Sequence, residues 1–114
     1  MSTVYFTKYN NSKEANEYLS EENPKYRDWE VTTLFYSVLN LLAQYCASRS
    51  MHIPTSHQER EEVVSKYLSP IAIDYVSLYT LSKNARYESL IKHQELETGK
   101  AYFSTIENYL LSMI

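Results

Sequence analysis

"DWEVTTLFYSVLNLLAQYCAS", residues 28–48, decides the fold class. Val31, Leu34, Phe35, Val38, Leu41, Leu42 and Tyr45 recur at intervals of three and four, which gathers apolar side chains on one face of an α-helix. Leu39 and Cys46 widen that arc. The segment therefore reads as the central helix of a bundle, capped by Asp28 and running to about Arg49. A second stripe, Thr33, Ser37, Asn40 and Gln44, is polar but uncharged. Either it packs closely with its polar groups bonded back to the backbone, or it forms a pocket wall or a polar seam between two copies. The run from residue 31 to 48 is long enough for a membrane span. Its threonines, serines, asparagine and glutamine make that costly in lipid, and no membrane association is expected.

Outward from this helix the pattern remains helical. Toward the N-terminus, residues 1–11 carry a β-flavoured "TVYFT" followed by two asparagines and read as a short arm. Ser12 can cap a short helix with Ala15, Tyr18 and Leu19 on one face, and Pro24 ends or interrupts it. Toward the C-terminus, "SMHIPTSH" (50–57) is a loop. "SHQE" (56–59) is a capping box, Ser56 at the cap and Glu59 three residues on, opening a helix that buries Val63, Val64, Tyr67 and Leu68. Ser69 and Pro70 stop that helix and start the next, with Ser69 as cap and Pro70 at its first position. That helix turns Ile71, Tyr75 and Leu78 inward, and Ala72, Val76 and Tyr79 on the adjoining row. It extends at least to Arg86, with no strong breaker between 83 and 97. Thr98 can cap a final helix carrying Tyr102, Ile106, Tyr109, Leu110 and Met113 inward. The fold expected is all-α: one domain, an up-and-down bundle of four to five helices.

The composition narrows the function classes. Of 114 residues, 44% are hydrophobic and 22% charged, ordinary globular usage. The net charge of −3 opposes a general nucleic-acid coat or an anionic-membrane binder, yet permits a small basic pocket on an acidic body. One cysteine, Cys46, cannot form an intramolecular disulfide or a Cys-rich metal site. With no signal peptide at the N-terminus, a cytoplasmic, reducing home is expected. A single glycine, Gly99, excludes a glycine-rich phosphate loop. His52 and His57 lack a carboxylate or thiolate framework, so no metal site is expected, and no cofactor.

Three stretches carry a likeness to a known family: "DWEVTTLFYSVLNLLAQYCA" (28–47), "PTSHQERE" (54–61) and "YVSLYTLSKNARYESL" (75–90). In order and spacing they resemble the HEPN superfamily of small helical-bundle proteins, over nearly the whole chain. The resemblance implies a bundle of four or five helices and a two-fold homodimer. Many members are metal-independent endoribonucleases with an arginine, four to six intervening residues and a histidine. Others are inactive relatives that pair with nucleotidyltransferase-type antitoxins or serve as binding modules.

Here Arg86 and His93 have six residues between them. On one continuous helix from Pro70 to Leu96, seven residues at ~100° each bring His93 back to within roughly 20° of Arg86 and about 10 Å along the axis. A dimer would bring two such faces together. Arg86 would then grip the scissile phosphate of an RNA, and His93 would move the proton of the ribose 2′-hydroxyl. Two hypotheses follow. The first is a non-catalytic helical module that dimerises and binds a protein partner or nucleotide through a pocket near His57, Arg60, Tyr87 and Arg86. The second is a metal-independent endoribonuclease of toxin or defence type, with Arg86 and His93 as the catalytic pair.

Overall fold

The computed structural model describes residues 4–20, 26–87 and 91–114. It contains α1 (Val4–Ser20), α2 (Arg27–Ser48), α3 (His57–Tyr67), α4 (Ala72–Tyr87) and α5 (His93–Met113), with a short 3-10 turn, Ser69–Ile71, leading into α4. The described residues hold no strand, so the all-α bundle is the architecture.

The seven apolar positions read from the 3,4 spacing of α2 are all buried, none more than 5% exposed. Around them lie Tyr75 and Leu78 of α4 and Phe103, Ile106 and Leu110 of α5. Three of the four stripe residues bond back to their own helix. Thr33 donates to the Glu30 carbonyl, Ser37 to that of Thr33 and Asn40 to that of Tyr36. Such bonds let hydroxyl and amide groups sit within a packed helix without a cross-helix partner.

Residues 4–11 are not an arm but the first turns of α1, and Ser12 lies inside that helix rather than at its cap. Tertiary contacts override the local β preference here. Tyr9 is buried in the core and donates to Glu107 of α5. Asn16 is buried and donates to the Glu30 carbonyl at 2.8 Å and to the Thr33 hydroxyl at 3.1 Å. Tyr18, expected on the inner face, is exposed. Pro24 lies outside the described residues.

These contacts also set directions. Asn16 meets residues 30 and 33 while Tyr9 meets residue 107, so α1 runs against both α2 and α5. Val31 packs on Leu96, and Arg49 donates to the Met113 carbonyl, so α2 and α5 run parallel. Phe35 faces Tyr75 and Tyr79 of α4. At Gly99 of α5 an added Cβ would lie 2.8 Å from Leu81 Cδ2 of α4. The lone glycine is thus a point of close helix approach.

Helix starts differ from the sequence reading in three places. Ser56 caps α3 as expected, accepting the Glu59 N–H at 3.1 Å, while the Glu59 carboxylate accepts from Thr55 one residue upstream. Ser69 makes no cap, because the 3-10 turn starts from Leu68. Thr98 lies one turn inside α5, its hydroxyl bonded back to the Gln94 carbonyl, and the start is held by Glu95, which accepts the Lys92 N–H. Asp28 sits in the first turn of α2 and spends its side chain elsewhere, as described below. Besides Tyr18, two more residues expected inward are on the surface: Tyr67, 47% exposed, and Val76, 41% exposed. Among the described residues no helix is long and apolar enough to cross a membrane.

Candidate functional site

The face of α4 turned toward α2 carries Tyr75, Tyr79, Ser82 and Arg86 at intervals of four, three and four, one helical row. Phe35 of α2 lies against it, 5.9 Å from the Tyr75 ring, 5.7 Å from that of Tyr79 and 5.9 Å from the Arg86 guanidinium carbon. The Arg86 guanidinium also reaches the Ser82 hydroxyl at 3.4 Å. A cation over a ring at this distance is favourable and orients the guanidinium plane.

The other end of the row receives α3. His57 stacks on Tyr79 with ring centroids 3.6 Å apart and planes 10° from parallel, and its Nε2 faces Glu61 at 3.2 Å. The Nδ1 of His57 and the hydroxyl of Tyr75 are buried without a hydrogen-bond partner among the described residues. Burial pushes the Tyr75 phenol well above its ordinary range. The charge of Arg60 opposes that shift, and the neighbouring Glu61 and Tyr79 add to it. His57 and Arg86, expected to share a pocket with Arg60, thus stand at different points along one row of rings. Two helical turns separate Tyr79 from Arg86, about 10 Å. The side chain of Tyr87 lies outside the described residues.

Arg86 and His93 do not share a helix. Helix α4 is described to Tyr87, Ile91 and Lys92 are not helical, Lys92 is extended, and His93 opens α5 as an exposed first residue. Burial drives the break. Ile91 and Leu96, each 4% exposed, pack on Val31 of α2, which requires the chain to turn back along α2. The Ile91 N–H is satisfied by the Asp28 carboxylate at 3.0 Å. The geometric premise of a shared Arg–His face therefore fails.

Beside Arg86 lies a cleft of about 300 Å³, lined by Asp28, Trp29, Thr32 and Tyr36 from α2 and by Ala85 and Arg86 from α4. Trp29 is 61% exposed and Tyr36 44%. The cleft thus offers two aromatic surfaces, one carboxylate and one guanidinium. Asp28, Trp29, Thr32 and Tyr36 were not singled out from the sequence as site residues. A signal existed, since Trp29 and Tyr36 stand seven apart on α2 and off its apolar face. Among the described residues no three His, Cys, Asp or Glu side chains gather to hold a metal ion. Comparison with known proteins finds no family model, no curated protein and no solved structure that matches this chain.

Proposed function

We propose that this protein is a non-catalytic, HEPN-like helical binding module whose cleft between α2 and the end of α4 takes a nucleotide. The observation that carries the reading is the placement of Arg86 in one cleft with the exposed rings of Trp29 and Tyr36. A guanidinium suits a phosphate, and an exposed aromatic face suits a nucleobase; together they make the minimal nucleotide site. A cleft of about 300 Å³ has the size of a small-ligand site rather than of a continuous nucleic-acid track. The net charge of −3 agrees with a local cationic group on an acidic body. The three stretches that resemble the HEPN superfamily support the same reading and add a two-fold dimer, which sedimentation equilibrium tests directly.

Calorimetric titration of the protein with the four ribonucleoside monophosphates is the test. Binding of at least one is expected, and Arg86→Ala should weaken it about tenfold or more, since hydrogen bonds to charged groups contribute roughly 1.5–3 kcal/mol. Unchanged affinity in a folded Arg86→Ala variant would remove Arg86 from the site. A parallel incubation with structured RNA in excess chelator tests for catalysis. Cleavage lost in both Arg86→Ala and His93→Ala would replace the binding module by the metal-independent endoribonuclease.

A further inference from the structure

Of the groups lining the cleft, Asp28 is the one whose carboxylate is tied to a distant part of the chain. Its Oδ1 accepts the Ile91 N–H at 3.0 Å, from 63 positions further along the chain. Its backbone carbonyl accepts the Thr32 hydroxyl at 2.8 Å, within the same turn of α2. The bond from Ile91 ties the carboxylate to the cleft wall, where Asp28 and the exposed Trp29 are neighbours. An ionised carboxylate only accepts hydrogen bonds, and each of its two oxygens has room for two donors, so the bond from Ile91 does not exhaust it.

That constraint discriminates among bases. Guanine presents two adjacent donors on its Watson–Crick edge, the N1–H and the exocyclic amino group, spaced to meet the two oxygens of a carboxylate. Adenine and cytosine place an acceptor nitrogen beside their amino group, which would face the carboxylate unfavourably. Uracil has a single N–H flanked by two carbonyl acceptors. Bases recognised outside a duplex are read in this way, by stacking combined with hydrogen bonds along that edge.

We propose that the cleft is a guanine-selective nucleotide site, with the base stacked on Trp29, its N1–H and amino group donated to Asp28, and its phosphate at Arg86. This rests on the nucleotide-binding reading above and adds the identity of the base. The charges match at both ends, carboxylate to donor edge and guanidinium to phosphate.

Trp29 is the only tryptophan in the chain, so its fluorescence reports on the site without a label. The experiment titrates GMP, IMP, AMP and UMP into the wild-type protein and into Asp28→Asn under tryptophan-selective excitation. GMP should bind about tenfold or more tighter than AMP, within the discrimination that one bidentate base contact supplies. IMP, which lacks the 2-amino group, should fall between them. Asp28→Asn keeps an oxygen to accept the Ile91 N–H, so circular dichroism should show the native helix content, while GMP binding drops to the level of AMP. Equal affinities for GMP and AMP in the wild-type protein would overturn guanine selectivity and leave the nucleotide-binding module standing. If no nucleotide changes Trp29 fluorescence and none binds by calorimetry, both readings fall.

Discussion

Tyr75 shows how much one atom's surroundings decide. Its ring is 1% exposed in the centre of the core, yet its hydroxyl finds no partner among the described residues. Burying an unpaired hydroxyl costs free energy, while the ring itself contributes apolar burial and its contact with Phe35. Removing only the oxygen should therefore not hurt. Tyr75→Phe is expected to match the wild type or exceed it by up to about 1 kcal/mol, measured by urea unfolding. A loss of about 1 kcal/mol or more would mean that the hydroxyl has a partner worth keeping. Asn16 is the opposite case, a buried amide whose two bonds to α2 are both made. Both residues are polar-tipped and buried, and their types alone do not say which one is satisfied.

At the scale of the helices, Gly99 sets how closely α4 and α5 approach. A Cβ there would meet Leu81 Cδ2 at 2.8 Å, the mobile end of a side chain, with Leu78 Cδ1 behind it at 3.8 Å. Gly99→Ala adds helix propensity of about 1 kcal/mol, which offsets the displacement of Leu81, so its stability should lie close to the wild type. Gly99→Leu has no such room and should cost about 3 kcal/mol or more, read as a lowered urea midpoint. Equal effects of the two substitutions would show that α5 is free to move away from α4.

The helices differ in how openly the sequence declares them. In α2, seven apolar residues at intervals of three and four left one face to bury, and all seven are buried. The buried positions described in α1 are Tyr9 and Asn16, a phenol and an amide, with Phe6 partly buried against the core, so its pattern is not an apolar stripe and its first turns read as an arm. The interruption after Tyr87 has no glycine or proline to mark it. Its cause is nonlocal, the burial of Ile91 and Leu96 on Val31 and the bond from Ile91 to Asp28. For the same reason Asp28 read as a helix cap rather than as a wall of the cleft. Of the residues singled out from the sequence, Arg86 lines the cleft, whereas His57 and Arg60 of α3 do not. Exposed aromatics such as Trp29 and Tyr36 were not singled out, because residue type alone does not separate a surface ring from a core ring.

For the whole molecule, the connection between its two chain ends has a definite pH limit. Tyr9 and Lys13 of α1 converge on Glu107 of α5, with Lys13 Nζ 2.9 Å from its carboxylate. Burial, and then the bond to Glu107, raises the Tyr9 phenol above its ordinary value. The bond to Glu107 raises the Lys13 ammonium. Both groups hold their protons more tightly folded than unfolded, so their stabilisation is complete below about pH 10 and declines as the pH rises beyond it. Thermal midpoints measured from about pH 9 to about pH 11 should fall more steeply for the wild type than for Glu107→Gln. Parallel curves would show that the Glu107 cluster contributes nothing to the attachment of α1.

The parallel contact of α2 with α5 also has a consequence for how the protein is made. Synthesis proceeds from the N-terminus at ~5–20 residues per second. The 65 residues between Ser48 and Met113, the ends of α2 and α5, therefore take about 3–13 s to add. Throughout that interval α2 exists without the α5 side chains that pack on it, Leu96 among them. That contact forms only once α5 has been added, so a ribosome-bound chain passes through a period in which Val31, which later packs on Ile91 and Leu96, is open to chaperones and to other nascent chains.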